Sequence, residues 1–307
     1  MAREKKRWHL RGTGSQWCDR LPLRERHGDA SRSVVAGFRV VVQAPQRRRA
    51  MRRAVLLMAT IALAVVLAGG AAQAIINGEP DRNRHPYVGM VYNDESLCSG
   101  TLISPTVFLT AAHCTEFFEQ EGSQVWVTFE SRADFEPDDA FTGTPYTHPA
   151  YDPQAGAYAP DVGVVVLDEP VSMDAYGRLP RAGIVEGFEA GQTLTLVGYG
   201  VRDFEVGGGP PRPTDVAIRY KANVKFTGTR GLGNAAGKDV YLKYKGASAG
   251  QGGEGGCFGD SGGAHFLPGT RTVVAVESFG PSPLCAGAGY AQRVDLPVVL
   301  RWVRSFL

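Results

Sequence analysis

From Ile75 onward the chain reads as short runs of β-branched and aromatic residues broken by turn signals. The runs are Tyr87–Tyr92, Thr101–Ala111, Val125–Phe129, Val162–Leu167, Thr193–Val197, Val216–Phe226, Val240–Tyr244, Thr272–Glu277 and Tyr290–Val294. Many short runs at such spacing predict an all-β sandwich or barrel. Two Gly/Pro-rich connections, Gly207–Pro213 and Gly246–Gly256, are predicted to be exposed loops. Only the end has helical spacing. Leu296, Val299, Leu300, Val303 and Leu307 share one face, Asp295 is placed to cap the start, and Pro297 falls in the first turn, where proline is tolerated.

The pattern before Ile75 is different. Residues 1–50 carry basic clusters such as Arg47-Arg48-Arg49 and one short apolar run around Val34–Val42. Met51-Arg52-Arg53, the apolar stretch Ala54–Ala68 and the ending Ala72-Gln73-Ala74 then form a secretory signal peptide, to be removed before folding. A membrane anchor continuing through Ile76 is the competing reading, since residues 54–76 are long enough to span a bilayer. The Gly69-Gly70 pair and the small-residue ending favour cleavage. The expected organisation is therefore an N-terminal extension (1–50) absent from the mature protein, a signal peptide (51–74) and one domain (75–307). Translation starting at Met51, or a long basic leader removed with the signal, would each account for the extension.

Composition narrows the domain's class. Hydrophobic residues make up 43% of the chain, and with 39 glycines this favours a glycine-rich β globule over disorder or a helical bundle. The charge divides sharply: residues 1–74 hold 15 Lys/Arg against 4 Asp/Glu, whereas residues 75–307 hold 18 against 27. An acidic domain lacks the basic footprint of a nucleic-acid binder.

Candidate chemistry centres on Gly259-Asp260-Ser261-Gly262-Gly263. Glycines beside a serine permit a sharp turn that exposes the hydroxyl, though such residues also punctuate ordinary surface turns. A serine nucleophile needs a base to take its proton. His113, in Phe108-Leu109-Thr110-Ala111-Ala112-His113-Cys114, is the best placed. His85 and His148 lie beside prolines, and His265 is only four residues from Ser261. An orienting carboxylate is offered by Asp161, which opens the apolar run Val162–Leu167 and would be expensive to bury unpaired. Asp152 and Asp168 are rivals, the latter in a turn-like Leu-Asp-Glu-Pro context. Gly259-x-Ser261-x-Gly263 also fits the nucleophile elbow of α/β-hydrolases, but those place their aspartate and histidine after the serine. The order His113, Asp161, Ser261 excludes that reading.

Ile75-Ile76-Asn77-Gly78, Thr110–Cys114, Asp161–Leu167 and Gly259–Gly263 together resemble the signature stretches of chymotrypsin/trypsin-like serine proteases. Val197-Gly198-Tyr199-Gly200 and Ser278-Phe279-Gly280 are supporting matches. The resemblance covers residues 75–307 and implies two six-stranded antiparallel β-barrels followed by a short C-terminal helix. It implies a triad of His113, Asp161 and Ser261 and an oxyanion hole from the N–H groups of Gly259 and Ser261. No metal-ligand cluster or phosphate-cradling glycine loop stands out in the sequence, so no cofactor or metal is expected. The resemblance also implies disulfides Cys98–Cys114 and Cys257–Cys285, leaving the odd Cys18 in the removed leader. An activating ion pair between a freed Ile75 amino group and Asp260 follows too, and signal removal after Ala74 would free that group directly.

Gly255, Phe258, Ser278, Phe279, Gly280 and Ala288 match the family's specificity pocket, with Gly289 an alternative to Ala288. The position where trypsin-like members carry an acid is Gly255, and Glu254 is one residue out of register. The expected preference is therefore apolar or aromatic rather than strictly Lys/Arg. The expected protein is a secreted, monomeric endopeptidase acting on proteins or peptides and meeting the membrane only through its signal peptide. A catalytically inactive binding protein and a membrane-anchored protease are the alternatives.

Overall fold

The computed structural model describes residue 75 and residues 77–122, 124–133, 140–154, 159–200, 217–229, 239–247, 253–282 and 285–307. The N-terminal extension, the signal peptide, the Gly207–Pro213 connection and part of Gly246–Gly256 lie outside the described residues.

The first barrel closes from six antiparallel strands. In chain order these are β2 (Val88–Tyr92), β3 (Leu97–Leu102), β4 (Val107–Thr110), β5 (Val125–Thr128), β7 (Phe141–Thr147) and β8 (Gly163–Leu167), joined around the ring as β2-β3-β4-β8-β7-β5. Before them comes the two-residue β1 (Glu79–Pro80), and between β5 and β7 the two-residue β6 (Arg132–Ala133). The second barrel joins β9 (Thr193–Gly198), β11 (Tyr220–Gly228), β12 (Tyr241–Lys245), β15 (Ala288–Arg293), β14 (Val273–Phe279) and β13 (Ala264–Phe266), and closes through β9–β11 and β9–β13. β1 adds to the edge of β11, and β10 (Ala217–Ile218) pairs with β6. The expected all-β fold of two six-stranded antiparallel barrels is what the chain forms.

Alternation explains the clearest strand. Along β11, Tyr220, Ala222, Val224 and Phe226 are buried, whereas Lys221, Asn223 and Lys225 face outward. This is the period of two that a half-buried strand requires. The run Val216–Phe226 nevertheless breaks at Arg219, whose guanidinium is fully buried and bonds Asp81 Oδ2, Asn83 Oδ1, the Tyr199 hydroxyl and the carbonyls of Val88 and Phe129. Buried charge is tolerable only with such complete pairing.

Two expectations are corrected. Thr101–Ala111 is not one strand but the end of β3, a turn and β4. A helix missed by sequence reasoning, α1 (Ala112–Glu121), follows β4 directly. Its N-terminus has no local side-chain cap. Instead Asp161, 48 residues away, accepts the His113 backbone N–H at 2.9 Å. A cap supplied by tertiary structure satisfies an orphan helical donor and puts negative charge where the helix dipole favours it, yet leaves no local signature.

The C-terminal helix, α2 (Pro297–Arg304), forms as expected with Pro297 in its first turn. Asp295 does not cap it. The N-cap residue is Leu296, and the Asp295 carboxylate instead binds the Arg293 guanidinium through both oxygens and the Val185 N–H. Val299, Leu300 and Val303 are buried against the first barrel's core, while Leu307 is exposed. The outer flank is aromatic: Trp302 meets His148 edge-on, and Phe306 meets Tyr146.

Candidate active site

Register brings the first two candidate residues together. β4 and β8 run antiparallel with Thr110 opposite Gly163, so the residues just after β4 lie beside those just before β8. His113, in the first turn of α1, and Asp161 consequently meet: Nδ1 of His113 is 2.8 Å from Asp161 Oδ2. Asp161 is buried, whereas the His113 side chain is one-third exposed. The Ser278 hydroxyl of β14 donates to the same Oδ2, and the Asp161 N–H donates to Gln292 Oε1 at 2.9 Å. The carboxylate thus receives three donors, two of them from His113.

These contacts set the titration of the pair. Burial alone would raise the Asp161 carboxyl, but the charge and hydrogen bonds of His113, with the Ser278 hydroxyl, hold it below the ordinary aspartate value. Burial likewise pulls the His113 imidazole down. The Asp161 charge and hydrogen bond, with smaller contributions from Glu277 and Glu116, outweigh it and hold the imidazole above the ordinary histidine value. With Nδ1 facing a carboxylate, Nε2 is the nitrogen left to exchange a proton with a partner.

Ser261 comes from the second barrel, on the loop before β13. The loop is fastened from both barrels: the Ser99 N–H of β3 donates to the Ser261 carbonyl at 2.8 Å, and the Ser99 hydroxyl donates to the Gly259 carbonyl at 2.8 Å. From β14, the Glu277 carbonyl accepts the Gly262 N–H, and the Glu277 N–H donates to the Gly263 carbonyl. Gly259 adopts φ +89°, and a Cβ there would lie 2.7 Å from Leu97 Cδ1. Only glycine takes this backbone without strain. Among the described residues, neither the Gly259 nor the Ser261 N–H has an acceptor.

Ser261 and His113 line one cleft of ≈ 380 Å³ together with Phe258, Ser278, Phe279 and Gly280. Gly255 and Ala288 line a separate small cavity of ≈ 20 Å³ behind it. A Cβ on Gly280 would meet nothing nearer than the Ala288 carbonyl, at 3.8 Å, so that wall is open. Glu254, the out-of-register acid, accepts a hydrogen bond from the Asn223 N–H and lines neither cavity.

Sequence reasoning missed Glu277, which borders both cavities. Its signal was the one used for Asp161: an acid attached to an apolar strand, here Val273-Val274-Ala275-Val276, must be paired if it is buried.

The cysteines join as Cys98–Cys114, with Cα atoms 6.4 Å apart, and Cys257–Cys285, with Cα atoms 5.2 Å apart. The first anchors the start of α1 to β3. The second ties the Ser261 loop to the segment before β15. Cys98 and Cys114 lie close to His113, but a disulfide leaves no thiolate for a metal.

Ile75 is fully buried in the core of the second barrel. The Asp260 carboxylate is fully buried as well, and accepts the Gly200 N–H at 2.8 Å and the Cys257 N–H at 2.9 Å. Burial pushes its pKa up to about 7, against those two hydrogen bonds and with the Glu277 charge adding to the rise. Among the described residues no cation pairs with it. In the continuous chain the Ile75 nitrogen is an uncharged amide.

Comparison with known proteins agrees with this architecture. Lectizyme from Glossina austeni is 26% identical over 258 residues, covering 79% of this chain and 87% of that protein. Snake venom serine protease 2C from Craspedocephalus gramineus is 46% identical over a stretch of 44 residues, 14% of this chain and 17% of its own length. Among solved structures, HL collagenase superposes with a TM-score of 0.59 at 21% identity, over 75% of this chain and 97% of its own. Human heparin binding protein does so at 0.53 and 21%, over 75% and 96%. The family model described as Trypsin matches residues 75–303, and the chain belongs to the trypsin family.

Proposed function

We propose that the protein is a serine endopeptidase that cleaves peptide bonds through an acyl-enzyme intermediate. The observation that carries this reading is the 2.8 Å contact between His113 Nδ1 and Asp161 Oδ2 at the edge of a cleft that also holds Ser261. Ser261 Oγ attacks the substrate carbonyl carbon while His113 Nε2 takes its proton. Asp161 keeps the imidazole in the tautomer with Nδ1–H and stabilises the imidazolium that forms. The resulting oxyanion is met by the Gly259 and Ser261 N–H groups, and each such donor contributes about 3–4 kcal/mol to lowering the barrier. His113 then passes its proton to the leaving amine, and water repeats the sequence on the acyl-enzyme.

On this reading residues 51–74 direct secretion, and cleavage after Ala74 frees the Ile75 amino group. That amine supplies the cation Asp260 lacks. A buried carboxylate left without its counter-charge is costly, so the pair would lock the Ser261 loop only after cleavage. Labelling with a serine-directed fluorophosphonate tests the proposal. The wild type is expected to label and Ser261→Ala not to. Labelling that persists in the variant would refute the assignment, and a wild type that neither labels nor cleaves peptides would favour an inactive binding protein.

A further inference from the structure

Beneath the cleft lies a polar cluster with no part in the steps above. Glu277 of β14, His265 of β13 and Tyr244 of β12 are all buried. The Tyr244 hydroxyl lies 2.8 Å from Glu277 Oε1, and His265 Nε2 lies 2.7 Å from Oε2. Tyr244 also accepts the Gly256 N–H at 3.2 Å, so its own proton points at Glu277. His265 Nδ1 is buried without a hydrogen-bond partner, so the ring proton sits on Nε2 and is donated to Oε2. Both carboxylate oxygens therefore face donors. A carboxylate has about four acceptor sites, and two remain.

Position makes those sites useful. Strand alternation sends Ser278 to Asp161 and Glu277 to the opposite face, where it borders the cleft that also holds His113 and Ser261. Gly256 leaves the space the carboxylate occupies, since a Cβ there would lie 2.8 Å from Glu277 Cδ. Among the described residues no lysine or arginine pairs with Glu277, and His265 meets it through a hydrogen bond. A buried anion at the wall of a largely apolar cleft interacts more strongly with a cation than it would in water.

We infer that Glu277 is the specificity-determining residue of this cleft, and that it selects a cationic substrate side chain, lysine or arginine, on the acyl side of the scissile bond. The hydrocarbon stem lies along Phe258 and Phe279, and the charged head donates to the free sites on Glu277. This rests on the endopeptidase reading. It also replaces the apolar preference expected from Gly255: the acid missing at that position is supplied from a different strand.

Two measurements on protein expressed from the full-length sequence test it. The first is calorimetric binding of benzamidinium against its neutral near-isostere benzamide, which needs no catalysis. The cation is expected to bind about 10- to 100-fold tighter, the range for a hydrogen bond to a charged group. The second is the ratio of kcat/KM for an arginine substrate over its norleucine counterpart, in the wild type and in Glu277→Gln. The ratio is expected to favour arginine and to fall by about the same factor in the variant. Because the ratio is taken within each protein, a general loss of activity cancels. If the variant does not fold, the binding comparison on the wild type decides alone. Equal binding of the two inhibitors, or a wild-type ratio favouring norleucine, overturns the inference while leaving the endopeptidase reading intact. Tight benzamidinium binding without any turnover would support the inference and overturn that reading.

Discussion

Freeing the Ile75 amino group should remove a pH-dependent loss of stability that originates at Asp260. In a form that keeps residues before Ile75, the Asp260 carboxyl has no cation among the described residues and its pKa is pushed up to about 7, against an ordinary value of 3.8. Between those two values the folded state holds a proton that the unfolded chain has released, so stability falls as pH rises. About three units at 1.36 kcal/mol each amount to a loss of about 4 kcal/mol by about pH 7, absent below about pH 4. That is a large share of the roughly 5–15 kcal/mol that holds a domain together. With Ile75 as the terminus, the ammonium pairs with the carboxylate and the fall is cancelled. The assay is urea unfolding across this pH range, comparing protein beginning at Ile75 with protein beginning at Ala71. Titrations elsewhere in the domain are common to both, so the difference between the two curves isolates the pair. The difference should grow with pH toward about 4 kcal/mol, and Asp260→Asn should flatten the profile of the longer form. Parallel curves for the two forms would refute the pairing.

The raised imidazole pKa of His113 places the acid limb of kcat/KM above pH 6.5, because the base must be unprotonated to accept the Ser261 proton. A pH–rate profile with the limb centred at or below that value would contradict the coupling to Asp161. Ser278→Ala removes one donor from the Asp161 carboxylate and should lower kcat/KM by about tenfold, with the acid limb shifted, as steady-state kinetics would report. Gly259→Ala forces a side chain into φ +89° against Leu97 and turns one oxyanion donor aside, so kcat should fall by about 100- to 1000-fold.

The legible parts of the fold were those whose information is local. β11 declared itself by alternation, and β8 by the apolar run after Asp161. β3 did not, because Leu97-Cys98-Ser99-Gly100-Thr101-Leu102 mixes small polar residues with apolar ones and still buries all six. The Ser99 hydroxyl is satisfied by another barrel rather than by neighbours in sequence: it donates to the Gly259 carbonyl and accepts the Tyr199 N–H. β7 was hidden for the opposite reason, being half-exposed and interrupted by Pro145. Helix α1 was hidden because its cap is Asp161.

The same distinction runs through the site. The triad candidates could be read because each sits in a short run with a recognisable order along the chain. The environment that gives them their chemistry could not, since it depends on which strands are neighbours in the second barrel. β13–β14–β15–β12 adjacency brings His265, Glu277 and Tyr244 into one cluster from residues 244 to 277, and no spacing rule links them. Glu277 also joins two tasks in one residue. Its backbone holds Gly262 and Gly263 behind the nucleophile, and the residue borders the cleft. Its charge adds to the rise in pKa of both Asp260 and His113. Removing the acid should therefore retune activation and catalysis while changing which side chain is accepted. A substitution confined to Gly255 or Ala288, in the small cavity behind, has no such reach.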